Sequence, residues 1–245
     1  METSIWIIFA VSLSAVAFCY AAVGHGGASG YIALMVLFGF SPQIQKPTAL
    51  TLNLLVSALA LMQYAGAGHF RWRKLLPFIL LSVPMAYLGA GTEINRKVFH
   101  LLLALFLAFS VWRLLSDPGA ENRESRNIPW IPALITGGSI GFLSGLIGVG
   151  GGIILSPVLL LMGWAGMKET AAISAAFILV NSAAALAGNW PSANSFPPHF
   201  FLLLLCTALM GLAGAWLGSR HWNTRILKYL MAAVLIFACV KLVIS

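Results

Sequence analysis

His25 stands in the middle of a long apolar run, flanked by Gly24, Gly26 and Gly27. A second glycine cluster, Gly148, Gly150, Gly151 and Gly152, interrupts another apolar run further along the chain. Glycine inside a helix costs about 1 kcal/mol relative to alanine, so clusters at matching places in two runs point to a backbone role, a break in each helix. A break buried in a bilayer exposes a helix N-terminus whose N–H groups and partial positive charge bind anions. Ser29 follows the first break and Ser156 the second, and each adds a hydroxyl. The His25 imidazole, which titrates near pH about 6.5 when unperturbed, would carry a proton with an anion or donate a hydrogen bond to it. The plainer alternatives are that the glycines are helix-packing surfaces and His25 a satisfied structural residue. The doubling of the clusters favours function, whereas the counterpart of His25 is Val149, so the repetition does not demand the imidazole.

The acidic residues set the sign of the ligand. Glu2, Glu93, Asp117, Glu121, Glu124 and Glu169 all fall in expected loops or at segment ends. A cation carrier normally keeps a carboxylate within the membrane, so an anion is the expected ligand. An enzyme is the least supported class, because no nucleophile with a base, no paired carboxylates and no metal-ligand cluster occur in the apolar runs. Cys19, Cys206 and Cys239 lie at unrelated spacings and suggest neither a disulfide nor a metal site. No metal and no cofactor is expected.

The elements that hold these residues are long and apolar. The chain of 245 residues is 60% hydrophobic and 8% charged, with a mean hydropathy of +0.94. Soluble domains carry about a quarter charged residues, so this is an all-α polytopic membrane protein with the lipid bilayer as its surroundings. The formal charge of +8 does not imply nucleic acid, because the basic residues fall singly or in small groups between apolar runs. The first run, Ile5 to Ala22, follows Glu2 rather than a basic segment and reads as a retained helix.

The order of runs repeats. Ile5 to Ala22, the GHGG break and the short run Tyr31 to Phe40 are followed by Pro47 to Gly66, Leu75 to Gly91 and Val98 to Leu115. Trp130 to Ile147, the GVGGG break and Ile153 to Trp164 are followed by Thr170 to Gly188, His199 to Ser219 and Ile226 to Ile244. Gly24 and Gly39 match Gly148 and Gly163 at a spacing of 124, and Lys46, Thr48 and Gly66 match Lys168, Thr170 and Gly188 at 122. Asn95 and Trp112-Arg113 match Asn223 and Val240-Lys241 at 128. Such near-constant spacing is the mark of an internal duplication. The expected organisation is a first transmembrane repeat at 1–115, a hydrophilic linker at 116–129 and a second repeat at 130–245, each repeat a Gly-broken helical hairpin plus three transmembrane helices.

Charge orients the halves. If each broken run crosses once, lysines and arginines divide evenly and no orientation follows. If each goes in and returns, Arg71, Arg73, Lys74, Arg113, Arg123, Arg126, Lys168, Arg220, Arg225 and Lys228 share one side, against Lys46, Arg96, Lys97 and Lys241. That bias places the linker in the cytoplasm, both termini outside, and makes the repeats inverted. Inverted repeats with paired broken helices are the pattern of a secondary transporter whose site lies between the repeats near the midplane.

Polar residues within the spans are further candidates. Asn53 and Ser57 share a helical face, as do Ser174 and Asn181; they either line a cavity or join helices. Gly211, Gly214 and Gly218 have the spacing of a helix-packing surface. Trp72, Trp130, Trp164, Trp190 and Trp222 fall at span ends, where aromatic belts form.

The segment GLIGVGGGIILSPVLLLMGW with the following KETAAISAAFILVNSAAALAG resembles the second repeat of the sulfite exporter TauE/SafE family, the sulfonate uptake permeases. AVGHGGASGYIALMVLFGFSPQIQKPTALTLNLLVSALA is similar to the first repeat, and the resemblance runs from about residue 8 to 243. It implies a multi-pass transporter of the bacterial inner (cytoplasmic) membrane that moves a small inorganic or organic sulfur anion, such as sulfite, thiosulfate or an organosulfonate, coupled to protons. By matching positions it implies that Gly24, Gly26, Gly27, Gly148, Gly150, Gly151 and Gly152 frame the site, with His25 in the first motif and Asn53 on the following helix. Residues and resemblance together give a transporter that binds its anion through helix N-termini with help from Ser29, Asn53, Ser156, Ser174 or Asn181, with His25 coupling protons. The alternatives are a passive anion channel, a carrier of another small solute, or a non-transporting membrane subunit; a homo-oligomer is left open.

Overall fold

The computed structural model describes residues 3–92, 108, 111, 112, 115, 126–188, 190 and 196–244. The expected span Val98 to Leu115, apart from those four residues, and the linker up to residue 125 lie outside the described residues, as do Glu93, Asn95, Arg96 and Lys97. All the described elements are helices: α1 Thr3–Ala21, α2 Ala28–Leu37, α3 Pro42–Gly66, α4 Trp72–Ala90, α5 Trp130–Ile147, α6 Gly152–Leu161, α7 Met167–Gly188, α8 Phe200–Trp216 and α9 Thr224–Ile244. A π-helical turn, Leu217–His221, extends α8. Five of the described helices are long and apolar enough to cross a membrane, and α2 and α6 are shorter apolar helices of 10 residues. At 1.5 Å per residue, each of these short helices covers about 15 Å, half the hydrocarbon core.

Some boundaries differ from expectation. Ser41 and Pro42, which lie ahead of the expected run, start α3, with Ser41 in extended conformation at the N-cap and Pro42 at the first helical position. Proline is tolerated there because that N–H has no partner within the helix. The helix therefore begins before the expected Pro47. Similarly, α4 starts at Trp72 and keeps Pro77 and Pro84 within it.

Hydrogen bonds fix which helix ends lie together. At one end of the bundle, the Tyr64 hydroxyl donates to Ala22 O, and both His69 Nε2 and Lys168 Nζ reach Ser219 O at 3.1 Å. Lys74 Nζ bonds Trp164 O and Glu169 there as well. At the other end, Lys46 Nζ donates to Ala90 O at 3.2 Å and Leu146 O at 3.4 Å. Helices α1, α3 and α8 therefore run in one sense, and α5, α7 and α4 in the other. Each broken segment returns to the end it came from. Trp6 and Phe9 at the start of α1 stack on Phe40 beyond α2, and Arg126 N, ahead of α5, donates to Gly163 O beyond α6 at 2.9 Å.

Close helix approach depends on small residues. A methyl group on Gly137, Gly141 or Gly145 of α5 would strike the backbone of Phe78, Ser82 or Ala86 on α4, and one on Gly214 or Gly218 would strike Phe18 or Ala22. In a bilayer, where lipid is as apolar as leucine, such backbone proximity supplies much of the attraction between helices. The structure thus gives the Gly211–Gly218 stripe the packing role expected of it. The α5 stripe does the same work between α4 and α5. Trp72, Trp130 and Trp190 are exposed at helix ends, as an aromatic belt requires, but Trp164 is buried against Phe78.

Candidate functional site

The first break follows α1. Gly24 and Gly27 take φ of 76° and 97°, and Gly148 and Gly151 take 80° and 78° at the second break. This left-handed conformation is open to glycine at little cost. It turns the chain so that α2 and α6 start inside the bundle. Neither N-cap glycine, Gly27 nor Gly151, supplies a side-chain cap.

Asn53, near the middle of α3, lies between the two breaks. A methyl group on Gly26 would collide with its Oδ1 and one on Gly150 with its Nδ2, so the amide fits only because both flanking positions lack a side chain. Asn53 Oδ1 accepts the N–H of Ala28, the first residue of α2, at 3.2 Å, and Nδ2 donates to Ser182 Oγ on α7 at 2.8 Å. One side chain thereby caps α2 from outside and joins it to the second half.

His25 makes the second connection. Its backbone N–H donates to Tyr20 O at 2.8 Å, and its ring reaches across so that Nε2 lies 2.7 Å from Ser156 Oγ on α6. Ser156 Oγ is in turn 2.7 Å from Ser174 Oγ on α7. His25 is 1% exposed and Asn53, Ser156 and Ser174 are fully buried. Ser29 bonds the Tyr20 hydroxyl at 2.9 Å beside the same break. Asn181 is placed elsewhere: it accepts from Ser82 Oγ on α4 at 2.9 Å and donates to Phe177 O in its own helix at 2.8 Å. Gly152 packs against Ile178, and Gly148 against the aliphatic stem of Lys46.

Among the described residues, three buried polar atoms near the breaks have no partner: His25 Nδ1, Tyr31 Oη and Ser144 Oγ. Tyr31 lies with its hydroxyl against Gly27, and Ser144 lies beside Gly151, so each N-cap glycine has an unsatisfied hydroxyl next to it. Buried polar groups are paired in the great majority of cases, so their concentration at two helix N-termini is unusual. The sequence reading singled out neither residue, nor Tyr20, nor Ser182. A signal existed for two of them: Tyr20 and Ser144 stand 124 apart, four residues ahead of Gly24 and Gly148. Among the described residues, no group of three His, Cys, Asp or Glu comes together as a metal site.

Residues 8–242 match the family model described as sulfite exporter TauE/SafE. The chain belongs to this family of membrane transporters. It is 40% identical over 237 residues to the probable membrane transporter protein y4hK of Sinorhizobium fredii, covering 95% of this chain and 96% of that protein. The probable membrane transporter protein YjnA of Bacillus subtilis is 23% identical over 248 residues, 90% of this chain and 92% of the relative. No solved structure matches the chain. A multi-pass membrane protein with several apolar helices is what both the family and the fold give.

Proposed function

We propose that this transporter is a secondary carrier that moves a small sulfur-containing anion, sulfite, thiosulfate or an organosulfonate, across the bacterial inner membrane together with a proton. The observation that supports it most strongly is the meeting of two helix N-termini with glycine N-caps at Asn53, each with a buried hydroxyl beside it that has no partner among the described residues, Tyr31 at one and Ser144 at the other. Helix N-termini and hydroxyl donors complement negative charge. The hydrogen bonds drawn among Asn53, Ser182, His25, Ser156 and Ser174 include no carboxylate.

His25 is the proton-carrying group in this reading. Nε2 is engaged by Ser156 and Nδ1 faces no protein partner, so one ring nitrogen is available to a substrate oxygen or a proton. The opposite senses of α1 and α5, α3 and α7, and α4 and α8 suit an inverted duplication in which one repeat moves against the other about the shared site. The gathering of Arg71, Lys74, Lys168 and Arg126 at the same end fits a cytoplasmic linker.

Anion-dependent thermal stability of the purified protein tests the substrate class. A ligand of the folded state at 100 times its Kd stabilises by about 2.7 kcal/mol, so sulfite, thiosulfate or a simple sulfonate is expected to raise the midpoint where chloride and acetate do not. Equal shifts with chloride, or none with any sulfur anion combined with no protein-dependent flux in proteoliposomes, would overturn it.

A further inference from the structure

The end of the bundle where α4 and α5 begin carries a basic cavity apart from the glycine breaks. A cavity of about 560 Å³ lies where α4 and α5 begin, walled by Arg71, Arg73 and Lys74, the indoles of Trp72 and Trp130, and Asn127. Glu169 is the carboxylate paired here, 2.9 Å from Lys74 Nζ and 3.4 Å from Arg71 Nε, which leaves the cluster with an excess of positive charge. Both tryptophans are 54% exposed, the setting of indoles at the headgroup level of a bilayer.

Two observations separate this cavity from the transport site. Just past it, Gly137 and Gly141 of α5 press on the backbone of Phe78 and Ser82, so α4 and α5 close against each other there. The same two helices expose Leu80, Leu81, Ile131 and Ile135, apolar side chains that suit acyl chains. Basic pockets between membrane helices at the cytoplasmic level bind anionic headgroups. We infer that the Arg71, Arg73, Lys74 and Trp72, Trp130 cavity binds the phosphate-bearing headgroup of an anionic phospholipid, with its chains lying on the outer face of α4 and α5.

Native mass spectrometry of detergent-purified protein titrated with phosphatidylglycerol or phosphatidylcholine tests this. Wild type is expected to retain phosphatidylglycerol in preference. Each basic residue near an anionic headgroup contributes about 1 kcal/mol, roughly fivefold, so an Arg71→Gln/Arg73→Gln variant is expected to lose about thirtyfold of that preference. Arg220→Gln/Arg225→Gln removes the same charge from two exposed positions at the same end and is expected to keep it, which separates a built site from general charge attraction. Equal retention of both lipids by wild type, a preference that survives Arg71→Gln/Arg73→Gln, or equal loss in both double variants would overturn the site. Inorganic phosphate without lipid is expected to leave the melting temperature unchanged. A shift with phosphate as large as that with phosphatidylglycerol would instead make the cavity a soluble-anion site and reject the lipid.

Discussion

The two glycine breaks share a backbone and differ in nearly every side chain. Gly24 and Gly148, Gly27 and Gly151 have closely similar φ values, and the short helices that follow have the same length. Where the first break has Tyr20, His25, Ser29 and Tyr31, the second has Ser144, Val149, Ile153 and Leu155. The one hydroxyl of α6 that faces a break, Ser156, is bonded to the histidine of the other hairpin. The backbone supplies two helix ends of like conformation, while the titratable side chains are concentrated at the first.

Substitution at the breaks gives the largest expected effect. In Gly24→Ala the new methyl meets the backbone of Ala171, and the alanine must hold a left-handed φ; overpacking and strain together cost about 3 kcal/mol or more. Gly150→Ala, driven into the Asn53 amide, should cost a similar amount. Gly163→Ala has the same sign of φ but open space around it, so only the strain of about 1–2 kcal/mol remains. Thermal unfolding of the three variants in detergent checks the order, and a Gly24→Ala no worse than Gly163→Ala would break the equivalence drawn between fold and clash.

Next in size is the asparagine pair. Asn53→Leu strands the Ala28 N–H and the Ser182 hydroxyl and should cost about 2–3 kcal/mol together with all anion-dependent stabilisation. Asn181→Leu strands only Ser82 and should lose about 1–2 kcal/mol while the anion response stays. An anion response lost in both variants would erase the distinction between site and helix interface.

Tyr31→Phe and Ser144→Ala sharpen the comparison further. Neither hydroxyl has a partner among the described residues, so removal should leave stability unchanged or slightly raised, while anion affinity falls about fivefold for each hydrogen bond lost. A stability loss with affinity intact would assign them to the fold.

The smallest effect concerns the first end of the bundle. His69, in the α3–α4 loop, bonds Ser219 O. Desolvation lowers its pKa from the usual histidine value, aided by Lys168 and opposed by the Ser219 bond and Glu169. The folded state thus binds the proton less readily than the unfolded state. Its contribution to stability is present above pH about 6.5 and is lost as pH falls through the depressed pKa. His69→Gln should flatten the dependence of melting temperature on pH below that value; an unaltered slope would remove His69 from it.

Much of this was legible in the sequence, and the reason is physical. Glycine clusters and hydropathy are local properties, so the breaks and the short helices after them could be read directly. Which neighbour a helix faces is not local. Asn53 and Asn181 looked alike in their own helices, and only packing put one between the glycine breaks and the other against Ser82. Tyr31 and Ser144 escaped notice because a tyrosine or serine in an apolar run carries no sign of being unpaired. Ser182 was hidden beside Asn181 for the same reason. The Gly137, Gly141 and Gly145 stripe gained meaning only once α4 was seen against it.

The central claim is that proton chemistry resides at the first break alone. Proton-gradient-driven flux of a labelled sulfur anion in proteoliposomes, compared for wild type, His25→Gln and Val149→Ala, tests it most directly. Wild type and Val149→Ala are predicted to respond to an imposed proton gradient, and His25→Gln to keep anion-dependent thermal stabilisation while its flux no longer responds. Full gradient-driven flux in His25→Gln would contradict the account.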